Sequence, residues 1–377
     1  MKQKILYIEN EATIRAISFY KAALEASKLM GWEFHLAYHC LDYSEEGKRE
    51  LENDLGLVFH QIDFERNPLH PGNTRAYHQL KNLLEERFDI IHCNTPIGGV
   101  LGRIVASEKG IRPVIYQAHG FHFYKGAPLK NWLLYYSVEK LLAKKTDAII
   151  TINQDDYQIA KKRLHPRSKV YYVPGVGIEL GKWESSKNVR ADCGLEDDDF
   201  VILAVGRLEK NKNCEMMIDA VRQIRDERVK LVFCGDGEDR QALQEKCQDL
   251  GNRVKFLGNR NDMPNIYHMA DCFVLASFRE GLSRSIMEAM ACGLPCIVSN
   301  IRGNRDLVDP EGGFLFDPRN TGELTESVKA LLRSDDLRAK MRIHNLEKIR
   351  QFGFDRVVKE LTKVYEEQFG VKADREL

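Results

Sequence analysis

The sequence predicts an α/β protein of two doubly wound domains, each a parallel sheet with helices on both faces. Three observations predict it. The chain has 377 residues, enough for two domains at roughly 100–200 residues each. Short β-branched runs alternate with amphipathic stretches of helical period, the pattern of repeated βα units. The alternation lapses once, over a polar, glycine-bearing stretch at 176–198, and restarts at 200. Apolar residues make up 43% and charged residues 30%, the balance of a globular chain rather than a disordered one.

In the first half, strands are expected at 4–9, 33–39, 57–63, 89–94, 113–119, 147–152 and 169–173, with helices at 13–30, 73–87, 97–109, 129–145 and 154–164. In the second half, strands are expected at 200–205, 229–234, 254–257, 272–276, 295–299 and 313–316, with helices at 213–227, 238–250, 262–269, 284–292 and 321–334. The tail 335–369 reads as helical. Val357, Val358, Leu361, Val364 and Tyr365 recur at helical spacing, so its last part packs on something. This gives an N-terminal domain over 1–178, a linker over 179–198, a C-terminal domain over 199–355, and a helix over 356–377 that crosses back to the N-terminal domain. Ligands of such sheets bind at the carboxyl ends of the strands. The cleft between two such domains is the natural place for a site.

Lys+Arg and Asp+Glu both total 56, so there is no global positive field for nucleic acid. No apolar run approaches the roughly 20 residues that span a bilayer. The N-terminus, Met1 to Ile8, leads straight into a strand without the apolar core and cleavage site of a signal peptide. Nine cysteines without a CxxC pair fit reduced, buried thiols rather than a zinc cluster. A cytoplasmic location is expected.

Three second-half segments carry chemistry, each just after an expected strand. Gly206-Arg-Leu-Glu-Lys-Asn-Lys-Asn213 offers a glycine for the turn and two cations, Arg207 and Lys212, at a separation that suits a di- or triphosphate. A solvated charged loop is the bland alternative. Ser277-Phe-Arg-Glu-Gly-Leu-Ser-Arg-Ser-Ile-Met-Glu-Ala-Met-Ala291 places Glu280 in a loop and Glu288 about one turn into the next helix. Gly281, Leu282 and Ser283 lie where backbone N–H groups meet an anion at a helix N-terminus. Glu288 has a competing role, as the far end of a capping box Ser285-Ile-Met-Glu288. Ser299 to Val308 repeats the pattern more weakly. Cys234-Gly-Asp-Gly-Glu238 reads as a tight strand-to-helix turn. Asp197-Asp-Asp199 reads as a charged turn, and no metal site is expected.

Together, Gly206-Arg-Leu-x-x-x-Lys212, Gly235-Asp-Gly237, Gly258-x-Arg-x-Asp-Met263 and Glu280-x7-Glu288 with Glu-Ala-Met-Ala-x-Gly-x-Pro295 resemble family 4 glycosyltransferases of the GT-B fold. The resemblance spans most of the chain and is densest from 200 to 310. It implies a retaining transferase that uses a nucleoside diphosphate sugar as donor and needs no further cofactor. It implies that Arg207 and Lys212 hold the diphosphate, Glu288 the ribose and Glu280 the donor sugar. It further implies that the amides of Gly281, Leu282 and Ser283 support phosphate or sugar, and that Arg260 and Met263 lie by the base.

In the first half, Tyr116-Gln-Ala-His-Gly-Phe-His-Phe-Tyr-Lys-Gly126 puts His119 at a strand end beside a glycine. The resemblance implies that His119 faces the donor sugar; His122 is the less apt candidate. Asp89-Ile-Ile-His-Cys-Asn-Thr-Pro96 resembles the family's acceptor-side loop, with Asn94 and Thr95 at its end. The first loop departs from the family pattern. Glu9-Asn-Glu-Ala-Thr-Ile14 has no glycine and two acids, which argues against phosphate and leaves acceptor binding, with Asn10 as a candidate. The segment His119 to Asp147 resembles bacterial polysaccharide and N-glycan assembly transferases, whose acceptors are sugars on polyprenyl diphosphate; within it, 129–142 carries Trp132, Tyr135 and Tyr136 with lysines around it. That stretch reads either as an amphipathic surface for an anionic membrane, on the inner face of the cell membrane, or as an ordinary buried helix.

The expected reaction moves a sugar from a UDP-sugar to a hydroxyl of a saccharide acceptor in surface polysaccharide or glycan synthesis, without metal. A GDP-mannose-type donor, or a UDP-sugar 2-epimerase of the same fold, are the alternatives.

Overall fold

A computed structural model describes residues 2–13, 17–184 and 186–373. The chain divides into two compact units, Met1–Gly177 with Phe354–Leu377, and Ile178–Gly353.

The first unit is a seven-stranded parallel sheet, β1 (Lys4–Ala12), β2 (Glu33–Cys40), β3 (Val58–Gln61), β4 (Ile90–Asn94), β5 (Val114–Ala118), β6 (Ala148–Thr151) and β7 (Lys169–Tyr172), in the order β3-β2-β1-β4-β5-β6-β7. The order reverses between β1 and β4, where ligands of open α/β sheets bind. Its helices are α1 (Lys21–Leu29), α2 (Glu45–Leu55), α3 (Gly72–Leu83), α4 (Pro96–Lys109), α5 (Leu129–Asn131), α6 (Ser137–Ala143) and α7 (Gln154–Arg163). Glycines set α4 close against the sheet: a Cβ on Gly99 would meet the Tyr116 ring at 2.5 Å, and one on Gly102 the Cys93 sulfur at 2.5 Å.

The second unit is a six-stranded parallel sheet, β8 (Phe200–Val205), β9 (Val229–Cys234), β10 (Val254–Gly258), β11 (Cys272–Leu275), β12 (Cys296–Ser299) and β13 (Gly313–Phe316), in the order β10-β9-β8-β11-β12-β13. Around it lie α8 (Cys214–Arg222), α9 (Arg240–Lys246), α10 (Met263–His268), α11 (Arg284–Ala291), α12 (Asn304–Leu307), α13 (Thr321–Leu332) and α14 (Asp335–Lys348). The last helix, α15 (Phe354–Phe369), belongs to the first unit. Its apolar stripe Val357, Val358, Leu361, Val364 and Tyr365 is buried there, with Tyr365 against Trp32 at 5.5 Å. Residues 374–377 of the expected terminal helix lie outside the described residues.

The expected strands agree with these to within a residue or two, save that β1 runs on to Ala12 and β3 is shorter at both ends. Four readings change. The stretch 179–198 is not a free linker. Trp183, Val189, Cys193 and Leu195 are buried in the core of the second unit, because a short, irregular segment can still contribute apolar anchors. The helix expected at 13–30 is a 3₁₀ turn, Ile17–Phe19, followed by α1, and residues 14–16 lie outside the described residues. Helix α2 escaped the periodicity because only Leu51 in it is buried; Ser44 caps it by accepting from Gly47 N–H at 3.1 Å.

The segment 129–145 carries a π-helical turn, Trp132–Tyr136. An extra residue in a turn rotates the following side chains by about 100° around the helix. Trp132 and Tyr136 pack on Phe123, while Leu129, Leu133, Leu134 and Leu141 face solvent.

Candidate functional site

Three glycine-bearing loops meet at the carboxyl ends of β8, β9 and β10. Gly206 N–H donates to the Cys234 carbonyl at 3.0 Å, and Gly235 N–H to the Gly258 carbonyl at 2.8 Å. Gly235 has φ +138°, and a Cβ there would lie 2.1 Å from the Gly206 carbonyl oxygen. Only glycine fits so close a backbone contact. The Cys234–Glu238 segment is thus the tight turn its sequence suggests, and it braces the loop that carries Arg207 and Lys212.

Arg207 and Lys212 line one pocket with Gly206 and Leu208 at the end of β8. Arg207 is largely exposed, with Nε 3.6 Å from Glu209. Lys212 is mostly buried, and its Nζ lies 2.6 Å from Glu280 Oε1. The backbone makes this pair possible. Phe278 N–H donates to the Asn211 carbonyl at 2.9 Å, and Asn211 Nδ2 donates to the Arg279 carbonyl at 3.0 Å, so the loops after β8 and β11 are tied together.

Gly281, Leu282 and Ser283 lead into α11, with Ser283 buried at its N-cap position. Gly303 packs on the Gly281 carbonyl, where a Cβ would come within 2.1 Å, and this joins the loop after β12 to the same corner. Glu288 sits one turn into α11, where it accepts from the Tyr267 hydroxyl at 2.9 Å and from Arg284 Nε at 3.0 Å. The capping-box reading of Glu288 is therefore wrong: the cap is Ser283 rather than Ser285, and the carboxylate is held by Tyr267 and Arg284. Burial raises the Glu288 pKa above the ordinary carboxylate range. Arg260 is held in a two-pronged pair with Asp262, both contacts 2.8 Å, and the pairing lowers the Asp262 carboxyl to about 2. Met263 follows at the start of α10, its sulfur 3.8 Å from Cys234 Sγ.

Asp199 of the Asp-Asp-Asp run accepts from Glu196 N–H at 2.8 Å and faces Lys230 at 3.5 Å, the contacts of a turn. Among the described residues, one group brings metal-ligating atoms together, Asp309, Glu311 and His344. It precedes β13, at the opposite end of the strands from the loops above, and Lys348 and His344 already pair with Asp309.

In the first unit, β1, β4 and β5 end in a polar row. His119 Nε2 lies 2.8 Å from Asn94 Oδ1, so Nε2 carries the proton and donates. Burial lowers the His119 pKa to about 4, which keeps the ring neutral at neutral pH. Phe19 contacts it edge-on at 5.6 Å. Asn10 Oδ1 accepts from Thr95 Oγ1 at 2.8 Å and from Gly98 N–H at 2.6 Å, so Asn10 and Thr95 fasten the start of α4. Thr95 adopts φ +60° there, a conformation that costs a non-glycine residue energy. His122 is separate from this row and stacks on Tyr135 at 4.6 Å.

Glu9 is the residue that sequence reasoning undervalued. It is 5% exposed, with neither a hydrogen bond nor an ion pair among the described residues, and burial raises its pKa to about 7. The two acids of its loop suggested only repulsion of phosphate. The signal available was that a strand of buried residues ran on into a glutamate.

Known structures show the fold. The crystal structure of HepE from Anabaena in complex with UDP and glucose superimposes with a TM-score of 0.79 over 97% of this chain and 100% of that one, at 20% identity. Two Rossmann-like units of this kind define the GT-B fold. Sequence shows the family. Residues 185–347 match the glycosyl transferases group 1, and residues 20–176 match glycosyltransferase family 4. A Bacillus subtilis protein named as a glycosyltransferase, EpsD, is 34% identical over 90% of both chains. The Escherichia coli UDP-Gal:α-D-GlcNAc-diphosphoundecaprenol α-1,3-galactosyltransferase is 36% identical over 68% of each. The chain belongs to glycosyltransferase family 4 and is a glycosyltransferase.

Proposed function

We propose that this glycosyltransferase moves a sugar from a UDP-sugar to a hydroxyl of a saccharide on polyprenyl diphosphate, with retention at the anomeric carbon and without metal, in surface polysaccharide or glycan assembly. The observation that carries the reading is the Lys212–Glu280 pair beside the amino end of α11: a cation, a carboxylate and N-terminal amides in one corner. The names of the relatives support the donor base and the lipid-linked acceptor. In this reading Arg207, Lys212 and the amides of Gly281, Leu282 and Ser283 stabilise the departing diphosphate. When the diphosphate takes Lys212, Glu280 accepts hydrogen bonds from the donor sugar. Glu288, held by Tyr267, receives the ribose hydroxyls, and Arg260 with Met263 flanks the base. The bond from the anomeric carbon to the diphosphate oxygen breaks ahead of attack. The acceptor hydroxyl adds on the same face, and its proton passes to the leaving phosphate oxygen. Neutral His119, its Nε2 proton held by Asn94, offers Nδ1 as an acceptor to a sugar hydroxyl and positions the sugar.

Exposed Leu129, Leu133, Leu134 and Leu141, with Lys130, Lys140 and Lys144, support a peripheral place on an anionic membrane, on the cytoplasmic side. Among the described residues no helix is long and apolar enough to cross one. Flotation with anionic vesicles checks this: Leu133→Glu with Leu134→Glu should abolish binding, and unchanged flotation would remove the membrane from the reading.

The test of the main reading is a thermal-shift panel of UDP, GDP, ADP and NAD, followed by transfer assays and product NMR. UDP alone should raise the melting temperature, since a ligand of the folded state stabilises it by mass action. The product should keep the donor's anomeric configuration. A shift with GDP alone would move the donor to the mannosyl type. Epimerised sugar nucleotide without transfer would make the chain an epimerase.

A further inference from the structure

Arg207 and Lys212, the two cations proposed to hold the diphosphate, each face a carboxylate, and the transfer reaction uses only one of those acids. Glu280, paired with Lys212 at 2.6 Å, meets the donor sugar in the proposed reading. Glu209 has no role there. Its Oε2 lies 3.6 Å from Arg207 Nε, with its side chain 26% exposed and that of Arg207 68% exposed. So open a pair adds little to the fold, and both of its members are within reach of a ligand. The backbone sets the acid in place: Lys212 N–H donates to the Glu209 carbonyl at 2.8 Å, which closes the short 3₁₀ turn Lys210–Lys212. The pocket at the end of β8 feels its charge. Burial pushes the Cys214 thiol of that pocket up to about 12; Asp239 and Glu209 push it the same way, and Lys212 opposes them. Arg207 and Lys212 are thus balanced by Glu209 and Glu280 before any ligand arrives.

Donor and spent nucleotide differ by one ionisation. Each phosphate of a nucleoside diphosphate sugar carries a single negative charge. In the free nucleoside diphosphate the terminal phosphate ionises again, with a pKa of about 6, and is mostly the dianion at neutral pH. Two cations alone would therefore hold the product more tightly than the donor. We propose that Glu209 offsets this preference: its carboxylate, beside the cations that hold the diphosphate, repels the additional charge of the free nucleoside diphosphate and so hastens its departure. Weaker binding of this kind shows mainly in the dissociation rate. The inference rests on the proposed placement of the diphosphate at Arg207 and Lys212, and it gives Glu209 a task outside the transfer step. No bond is made or broken by it; the discrimination is by charge.

The test is calorimetric titration of the full-length enzyme, at low salt and about pH 7.5, with UDP and with UDP-glucose, UDP-galactose and their N-acetylamino counterparts. The phosphates are the same on either base, so GDP with GDP-mannose forms a second set. Glu209→Gln should tighten the free diphosphate about fivefold more than the sugar nucleotide, roughly the effect of one unit charge at contact distance in water. Glutamine keeps the shape of glutamate, so a merely structural Glu209 would leave that ratio unmoved. Glu209→Asp, which keeps the charge, should keep the wild-type ratio. The gap between Glu209→Gln and wild type should shrink in about 0.5 M salt, where exposed charges are screened, and below about pH 6, where the free diphosphate loses its additional charge. Equal changes for both ligands, no change in either, or weaker binding of the free diphosphate overturns the inference and leaves the transfer reading intact. Arg207→Ala and Lys212→Ala variants that bind the free diphosphate as tightly as wild type, or a wild type that binds no nucleotide, overturn the proposed placement of the diphosphate, and the inference with it.

Discussion

The two sheets end in opposite kinds of chemistry. The strand ends of the second unit carry full charges already opposed to one another, Lys212 with Glu280, Arg284 with Glu288 and Arg260 with Asp262. Those of the first unit carry His119 held neutral, the amide of Asn94, and a carboxyl, Glu9, that burial keeps partly protonated near neutral pH. A doubly wound sheet does not prescribe either; the loops do. In the proposed reading, an opposed ion pair exchanges one partner for the diphosphate. A dry, neutral row favours hydroxyls, which it recognises by hydrogen bonding rather than by charge.

The comparison breaks first at the cations. Arg207→Ala or Lys212→Ala should each lower kcat by about 10²–10³-fold, the usual cost of losing one stabiliser of a leaving charge. Near-normal turnover in both would show that the charged corner is not where the diphosphate leaves. A second test sharpens the neutral row through stability. The Glu9 carboxyl is raised from 4.5 to about 7 on folding, so the folded state holds its proton more tightly. Stability from this group is full below the unfolded pKa and falls as pH rises through the folded one. At about 1.4 kcal/mol per pKa unit, wild type should lose about 3 kcal/mol relative to Glu9→Gln across that window, read as diverging denaturation midpoints. Parallel midpoints would mean that the carboxyl is solvated. His119→Ala comes next: turnover should fall by roughly 10²-fold with the UDP-induced thermal shift retained, because the residue lies in the other unit from Arg207 and Lys212, the cations proposed to hold the diphosphate. An unchanged rate would return the ring to a packing role. The smallest effect expected is that of EDTA, which should leave transfer intact, and loss of activity restored by magnesium would demand a metal at one of the acidic groups.

Much of the second unit's corner was legible. Glycine after a strand, cations at fixed distance and carboxylates eight residues apart are short-range patterns, and the backbone contacts among Gly206, Gly235 and Gly258 show why those spacings are tight. The partners of Glu288 were not legible, since Tyr267 lies 21 residues earlier and meets it only through packing. Glu9 was misjudged for a related reason. A glutamate after a strand looks solvated in a sequence, but β1 lies between β2 and β4, which arrive from distant positions. The outward leucines were not legible either, since a sequence shows which positions of a helix are apolar but not which of them its neighbours cover.

Arg103 of α4 is wholly buried, where it grips Glu139 of α6 through contacts of 2.7 and 3.1 Å, lies 3.8 Å over the Tyr116 ring, and donates to the Gly99 carbonyl. This ionic strut joins the leucine-bearing surface to the helix that Asn10 and Thr95 fasten. Anyone re-engineering that surface inherits a rule. The outward leucines can be exchanged freely as far as the fold is concerned, but Glu139 can be changed only together with Arg103, because a widowed guanidinium in that interior would unseat α4 from beneath.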